Sequence, residues 1–294
     1  MTESAAKFGG DEAGNGSFAS ARFVVLPIPM ESTVSYGGGT ARGPAAILRA
    51  SAELEFFDEE LERPAFVDGE VHTLPMMTLP NDPERAVEAI AVATRRALEA
   101  DKFVIALGGE HTISGGVIRA VRERRVAAGE EFGVLTVDAH LDLRASYHGA
   151  RWSHGCVMRR VWEEHRPRMM WCGIRSVSAE EAAFVRESRL TPIYAHELNN
   201  RPHWIREAVD ALPEKVFLSL DIDGLDPSAV PGTGTPEPGG LSYREVVALI
   251  REVAKRRTLI GADLVEVAPI AGQQVSEFTA ARLVMKLIGA LRGP

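Results

Sequence analysis

Three apolar stretches of this chain run directly into acids and imidazoles. Residues 103–107 lead into Gly108-Gly109-Glu110-His111, residues 133–137 into Asp138-Ala139-His140-Leu141-Asp142, and residues 216–220 into Asp221-Ile222-Asp223. Side chains two apart on an extended segment point the same way, so Asp138, His140 and Asp142 can converge, as can Asp221 and Asp223. With His111 supplied by a neighbouring strand end, four carboxylates and two imidazoles could meet in a small volume. Acids packed so closely repel one another and take up protons unless cations hold them. A pair of metal ions is the simplest resolution. Oxygen and imidazole donors without a thiolate favour a hard or borderline divalent ion, Mn²⁺ above Zn²⁺, and six protein ligands exceed what one tetrahedral zinc uses. Shared carboxylates could bridge two ions about 3.5 to 4 Å apart, close enough for both to touch one hydroxide.

Each residue taken alone has a plainer reading. An Asp after a strand commonly caps a helix or closes a turn, His111 could cap the helix that follows it, and Gly108-Gly109 could be a tight turn or a place where backbone approaches an ion. The D-x-D at 221–223 is weak by itself. The D-x-H-x-D at 138–142, ending an apolar run, is much stronger.

The elements that must position these groups follow a β, α, β, α rhythm. Short apolar or β-branched runs at 23–27, 103–107, 133–137, 169–174, 192–195, 216–221 and 259–266 mostly lack alternation, as expected of strands covered on both faces. Helix-period segments lie at 83–100, 114–128, 178–189, 202–212, 242–255 and 276–291, the first announced by Asn81-Asp82-Pro83. This predicts an α/β fold, a three-layer α/β/α domain around a mainly parallel β-sheet. In such sheets ligands bind beyond the carboxyl ends of the strands, where the acids and imidazoles fall. Gly- and Pro-rich stretches at 36–44 and 230–240 each join a strand to a helix, so they are expected to be functional loops rather than hinges.

Composition narrows the function classes. The 294 residues carry 33 Lys and Arg against 41 Asp and Glu, a net charge of −8, which gives phosphate-backbone binding to nucleic acid nothing to work with. Two cysteines, Cys156 and Cys172, form no metal-type spacing and no disulfide framework. No signal-length apolar core and no apolar run near 18 residues is present, so a cytoplasmic location without membrane contact is expected. Residues 1–21 are Gly, Ala, Ser and charge without periodicity and are expected to be a flexible arm, with one catalytic domain over 22–294.

The stretches GGEHTIS at 108–114, VDAHLDLR at 137–144, SHGCVMRR at 153–160, SLDIDGLDPSAVPGTGTPEPGGL at 219–241 and DLVEVAP at 263–269 together resemble the ureohydrolase family of arginases and agmatinases, most closely agmatinase. SYGGGTARGPAAIL at 35–48 is similar to that family's N-terminal loop and helix. The resemblance implies an arginase-like fold and two Mn²⁺ per subunit on His111, Asp138, His140, Asp142, Asp221 and Asp223. It further implies that Asp138 and Asp221 bridge, that His111 and Asp142 complete one ion, and that His140 and Asp223 complete the other. The implied reaction cleaves a small cationic guanidino substrate to urea and an amine, most closely agmatine to putrescine, with guanidinobutyrate, arginine and formimidoylglutamate as alternatives within the family. It also implies a homo-oligomer, a trimer or hexamer.

A guanidinium is resonance-stabilised and always protonated, so water needs activation to attack it near neutral pH. Asp142 could take the nucleophile's proton and pass it to the departing amine, and His154 could relay a proton to solvent. By resemblance Glu266 is the carboxylate that grips the guanidinium; alone it could equally be a structural acid paired with an arginine. The loop at 230–240 is expected to wall the site, and Tyr147, His148, Arg151 and Trp152 to line its entrance, Arg151 sitting oddly beside a diamine-like tail. Three other readings remain: a dehalogenase-type phosphohydrolase built on Asp221 and Asp223, which leaves the 138–142 cluster unexplained; a single-ion zinc deacetylase; and a catalytically inactive, metal-stabilised relative acting as a subunit or regulator.

Overall fold

The expected strands form because their side chains find protein on both faces. The computed structural model describes residues 6–11 and 16–293. Its strands are β1 (Phe23–Ile28), β2 (Phe57–Asp58), β3 (Arg63–Pro64), β4 (Val71–Thr73), β5 (Phe103–Gly108), β6 (Phe132–Val137), β7 (Arg168–Ile174), β8 (Ile193–Tyr194), β9 (Lys215–Asp221) and β10 (Thr258–Val265). Its helices are α1 (Gly43–Ser51), α2 (Pro83–Glu99), α3 (Ile113–Arg125), α4 (Val157–His165), α5 (Ala179–Glu187), α6 (Trp204–Asp210), α7 (Tyr243–Arg256) and α8 (Val275–Leu291). Eight strands make one sheet in the order β4-β1-β5-β10-β9-β6-β7-β8, with every pairing parallel. The remaining two, β2 and β3, form a small antiparallel pair.

Alternate residues of each central strand enter different cores. Phe23, Val25, Ile105, Leu107, Leu135 and Val137 pack with α1, α6, α7 and α8. Val24, Leu26, Val104, Ala106 and Val134 pack with α2, α3, α4 and α5. The result is the three-layer α/β/α architecture. Local chemistry sets the helix starts: Asp82 accepts from the Arg85 amide ahead of Pro83, and Ser178 and Ser242 form capping boxes with Glu181 and Glu245. Strand β4 and the β2–β3 pair are too short to leave a periodic signal, and no helix had been expected over α4.

Register decides where the chemistry falls. Leu107, Leu264, Leu220 and Val137 lie side by side on the adjacent strands β5, β10, β9 and β6. His111, Glu266, Asp221 and Asp138 follow those positions by only one to four residues, so four consecutive strand ends deliver acids or imidazole to one edge.

Within the stretch expected to be a flexible arm, the described residues contact the domain. Phe8 is buried against Phe66, its amide donates to Thr73 Oγ1 at 2.9 Å, and the Gly9 amide donates to Ser51 Oγ at 2.8 Å. Lys102 Nζ donates to the carbonyls of Ala19 and Ala21 at 2.8 and 2.7 Å. A lone aromatic among small residues has no period to detect, yet one Phe suffices to anchor a segment. Residues 1–5 and 12–15 of that stretch lie outside the described residues. Among the described residues no helix is long and apolar enough to cross a membrane. Phe8→Ala is expected to lower the unfolding free energy by about 3 kcal/mol, as for other buried Phe truncations; a urea midpoint equal to wild type would show that this segment contributes nothing to the core.

Candidate metal centre and active-site pocket

Two side-chain groups at the strand-end edge share one acid. His111, Asp138 and Asp142 form the first, and Asp138, His140 and Asp223 the second, each with its donor atoms within 4.8 Å of one another. Nδ1 of His111 lies 2.9 Å from Asp142 Oδ2, 3.2 Å from Asp221 Oδ2 and 3.3 Å from Asp138 Oδ2. Nδ1 of His140 lies 3.0 Å from Asp223 Oδ2 and 3.6 Å from Asp138 Oδ1. The six residues named from the sequence thus come together at one place, with Asp138 facing both imidazoles. The plain readings fare less well: Thr112 holds the cap position of α3 without a side-chain cap bond, so His111 is no helix cap.

Polar atoms in this cluster fit a cation better than they fit one another. His111 Nδ1 and Asp138 Oδ2 are buried without a hydrogen-bond partner. Burial opposes charge on His111, yet the carboxylates around Nδ1 raise its pKa well above the ordinary value. Burial likewise opposes charge on His140, and Asp223 with Asp138 still pushes it up to about 12. Burial and the neighbouring Asp138 lift Asp142 to about 7, and burial with Asp223 and Asp138 lifts Asp221. Protons are drawn to the places where bound cations would otherwise balance the acids.

The ligand directions are fixed from behind. Ser219 donates to Asp263 Oδ1 at 2.7 Å and so receives the Nε2 hydrogen of His111 at 3.0 Å, which leaves Nδ1 as the lone pair aimed at the acids. Amides hold the carboxylates: His140 N donates to Asp138 Oδ1 at 2.6 Å, Asp223 N to Asp221 Oδ1 at 2.9 Å and Ala139 N to Asp223 Oδ1 at 3.0 Å. Arg175, at the end of β7, donates to the carbonyls of Asp223, Leu225 and Glu237 through Nη2 and to those of Gly173 and Gly224 through Nη1, pinning the 221–225 turn to the 230–240 loop.

Sequence reasoning missed these supports, although signals existed. Ser219 shares a strand face with Asp221, Asp263 pairs with it in register on β10, and a lone Arg follows the buried run of β7. Glu110 was also missed as a support. Its buried carboxylate accepts from the amides of Ser32 and Thr33, both at 2.7 Å, and from the hydroxyls of Thr33 and Thr112. Gly108 and Gly109 serve this same approach of chain to chain, since a Cβ on Gly109 would lie 2.0 Å from the Met30 carbonyl oxygen.

A pocket of about 240 Å³ opens over the cluster, and His140, Asp142, Asp221, Asp223 and Glu266 face it. Asp142 and Glu266 adopt left-handed φ of 53° and 65°, an uncommon backbone state for either residue. Glu266 Oε1 accepts from the His111 amide at 2.6 Å, and burial raises the pKa of this carboxyl well above its ordinary value. His154 also lines the pocket. Thr33 gives its hydroxyl proton to Glu110, so His154 Nδ1 is the donor across the 3.2 Å to Thr33, and Nε2 stands 3.4 Å from Ser35 Oγ. Burial holds this imidazole below its ordinary pKa.

The expected entrance needs correction at three of its four residues. Tyr147 lines the pocket, but Trp152 is buried beneath Arg119, Arg151 is exposed and paired with Glu163, and His148 stacks on the Tyr147 ring outside the lining. The wall expected from 230–240 is present as Gly234, Thr235 and Glu237, and residues 34–37, joined to it by the Gly37 amide on the Gly234 carbonyl, also line the pocket. For the cluster itself, His140→Ala or Asp223→Ala is expected to abolish most tightly bound divalent metal, measured by elemental analysis after reloading and gel filtration; wild-type metal content in both variants would remove these residues from the ligand set.

Known proteins resemble this chain in sequence and in fold. The model of the arginase family matches residues 21–289. N(1)-aminopropylagmatine ureohydrolase of Synechocystis sp. is 41% identical over 279 residues, covering 93% of this chain and 90% of its own, and agmatinase of Pyrococcus horikoshii is 32% identical over 92% of each chain. The crystal structure of agmatine ureohydrolase of Thermoplasma volcanium has a TM-score of 0.84 at 30% identity and covers 99% of this chain and 96% of that one. With a family match spanning nearly the whole chain and a sheet, loop order and acid cluster laid out as described above, this chain belongs to the arginase family.

Proposed function

We propose that this protein hydrolyses the guanidino C–N bond of an amine-tailed cationic guanidine, releasing urea and the amine, with two Mn²⁺ held by His111, Asp138, His140, Asp142, Asp221 and Asp223. The observation that carries the reading is the pair of ligand groups sharing Asp138 beneath a pocket that also holds Glu266. Divalent cations bound there supply concentrated positive charge that acidifies a water enough to give a nucleophile at neutral pH. Asp138, common to both groups, would be shared between the ions, and Asp221, 3.2 Å from His111 Nδ1, would be the second shared acid by the family resemblance.

The chain's own residues do the rest. Glu266, with Oε1 tied to the His111 amide, is held in one orientation and takes the N–H groups of the planar guanidinium. Burial raises its pKa, and a bound guanidinium would supply the positive charge that favours its ionised form. Asp142 accepts the proton of the attacking water and returns it to the departing amine, which cannot leave as an anion. His154, neutral near pH 7 and tethered between Thr33 and Ser35, carries protons between this acid and solvent.

Agmatine is the simplest substrate of this class, giving putrescine. The 41% identical relative is named for N(1)-aminopropylagmatine, against 32% for the agmatinase, and this favours a longer polyamine tail and a triamine product. A cytoplasmic trimer or hexamer accords with the same resemblance. The test is urea release by the Mn²⁺-reloaded protein from agmatine, N(1)-aminopropylagmatine, arginine and guanidinobutyrate. The first two are expected to be the best substrates, and Glu266→Ala is expected to keep its metal while losing about 10²-fold or more in kcat/KM. No urea from any guanidino compound would reject the hydrolase reading, and a preference for arginine would reject the amine-tailed class.

A further inference from the structure

Beyond the residues that hold metal and guanidinium, the pocket wall carries three charged groups, Arg144, Glu181 and Glu237. Glu181 is already spent: one oxygen accepts from the Leu143 amide at 3.0 Å, and the other accepts from the amide and hydroxyl of Ser178. Arg144 lies over the Tyr147 ring, 4.9 Å from its centroid, and that ring also meets His154 edge-on. Glu237 differs from both. Its carboxylate makes no hydrogen bond or ion pair among the described residues, yet its main chain is held at both ends. The amide donates to the Thr235 carbonyl at 2.9 Å, and the carbonyl accepts from Arg175 Nη2 at 2.7 Å and Nε at 3.1 Å.

That anchoring ties Glu237 to the reacting end. The same Nη2 holds the Asp223 carbonyl at 2.7 Å, and Thr235 Oγ1 reaches Asp223 Oδ2 at 3.4 Å. Pro236 and Pro238 flank Glu237 and restrict its backbone further. Tyr36, 85% exposed, lines the same pocket on a loop joined to this one by the Gly37 amide donating to the Gly234 carbonyl at 3.2 Å. An acid without a hydrogen-bond partner on a rigid support, lining the same pocket as an exposed aromatic residue, suits a chain of methylenes ending in ammonium.

We propose that Glu237 is the specificity-determining residue for the substrate tail: its carboxylate binds an ammonium of the tail while Tyr36 covers the intervening methylenes. This rests on the guanidine-hydrolase reading above and adds to it the group that selects amine tails over neutral or anionic ones. Arg144 offers the competing outcome, a site for a carboxylate tail.

The test uses guanidines with one head and different tails: agmatine, butylguanidine and 4-guanidinobutyrate. In Glu237→Gln with unchanged metal content and melting temperature, the ratio of kcat/KM for agmatine over butylguanidine is expected to fall about tenfold, carried by KM. An unchanged ratio, whether both substrates lose activity or neither does, would overturn the proposal and leave Glu237 a loop-positioning residue or a bystander. So would a wild-type preference for guanidinobutyrate that Arg144→Gln abolishes. Calorimetric titration with 1,4-diaminobutane against butylamine reads the tail site without turnover. The diamine is expected to bind wild type about tenfold more tightly than Glu237→Gln, with butylamine showing a smaller difference. If wild type releases no urea, the hydrolase reading fails on its own, and equal diamine affinities would still be needed to overturn the tail site.

Discussion

The constraint on which this structure turns is the mutual repulsion of four aspartates buried at one edge of a sheet. Asp138, Asp142, Asp221 and Asp223 are each 6% exposed or less and lie around two imidazoles. Desolvated like charges at this range cost several kcal/mol per ion unless balanced, so the cluster must take up protons or cations. The fold tolerates the cost because four neighbouring parallel strands end at one level, where their backbone groups no longer pair with each other and can serve the acids instead. Amides of Ala139, His140 and Asp223 do so directly.

Holding such a cluster ready demands more than bringing it together. A ligand set that could relax would move its acids apart, and the surrounding hydrogen bonds prevent that. The chain from Asp263 through Ser219 to His111 sets one imidazole's tautomer, and Arg175 locks the D-x-D turn by its carbonyls rather than by its acids. A carboxylate partner for Arg175 would compete with metal for the same acids; carbonyl partners do not. Asp142 and Glu266, both lining the pocket, also hold a left-handed backbone, Glu266 directly after β10 and Asp142 five residues after β6.

Much of this was legible in the sequence, for identifiable reasons. Strands buried on both faces give unbroken apolar runs, so seven of the sheet's eight strands could be placed; period-two geometry aligned acids two residues apart, and the shared edge of the strand ends brought together those that lie far apart in the chain. Short edge pieces such as β4 escaped because three residues carry no pattern. The burial of Phe8 escaped because it depends on Phe66 and Ser51, distant partners that no local window contains. The entrance escaped for the same reason. Whether Trp152 faces substrate or Gly115 depends on how α3 packs near it, and a Cβ on Gly115 would come within 2.5 Å of that ring.

Strand ends and loops divide the pocket between them. The acids, imidazoles and Glu266 sit within a few residues of rigid strands, where displacement is resisted by the sheet itself. Tyr36, Tyr147 and Glu237, which line the pocket away from the cluster, all lie on connecting segments. Loops accept substitution where a packed strand end does not, so the pocket wall can change without disturbing the cluster. Glu237 marks the boundary between the two regimes: its side chain is free to vary with the substrate, while its carbonyl, gripped by Arg175 together with that of Asp223, keeps the loop that carries it in register with the acids below.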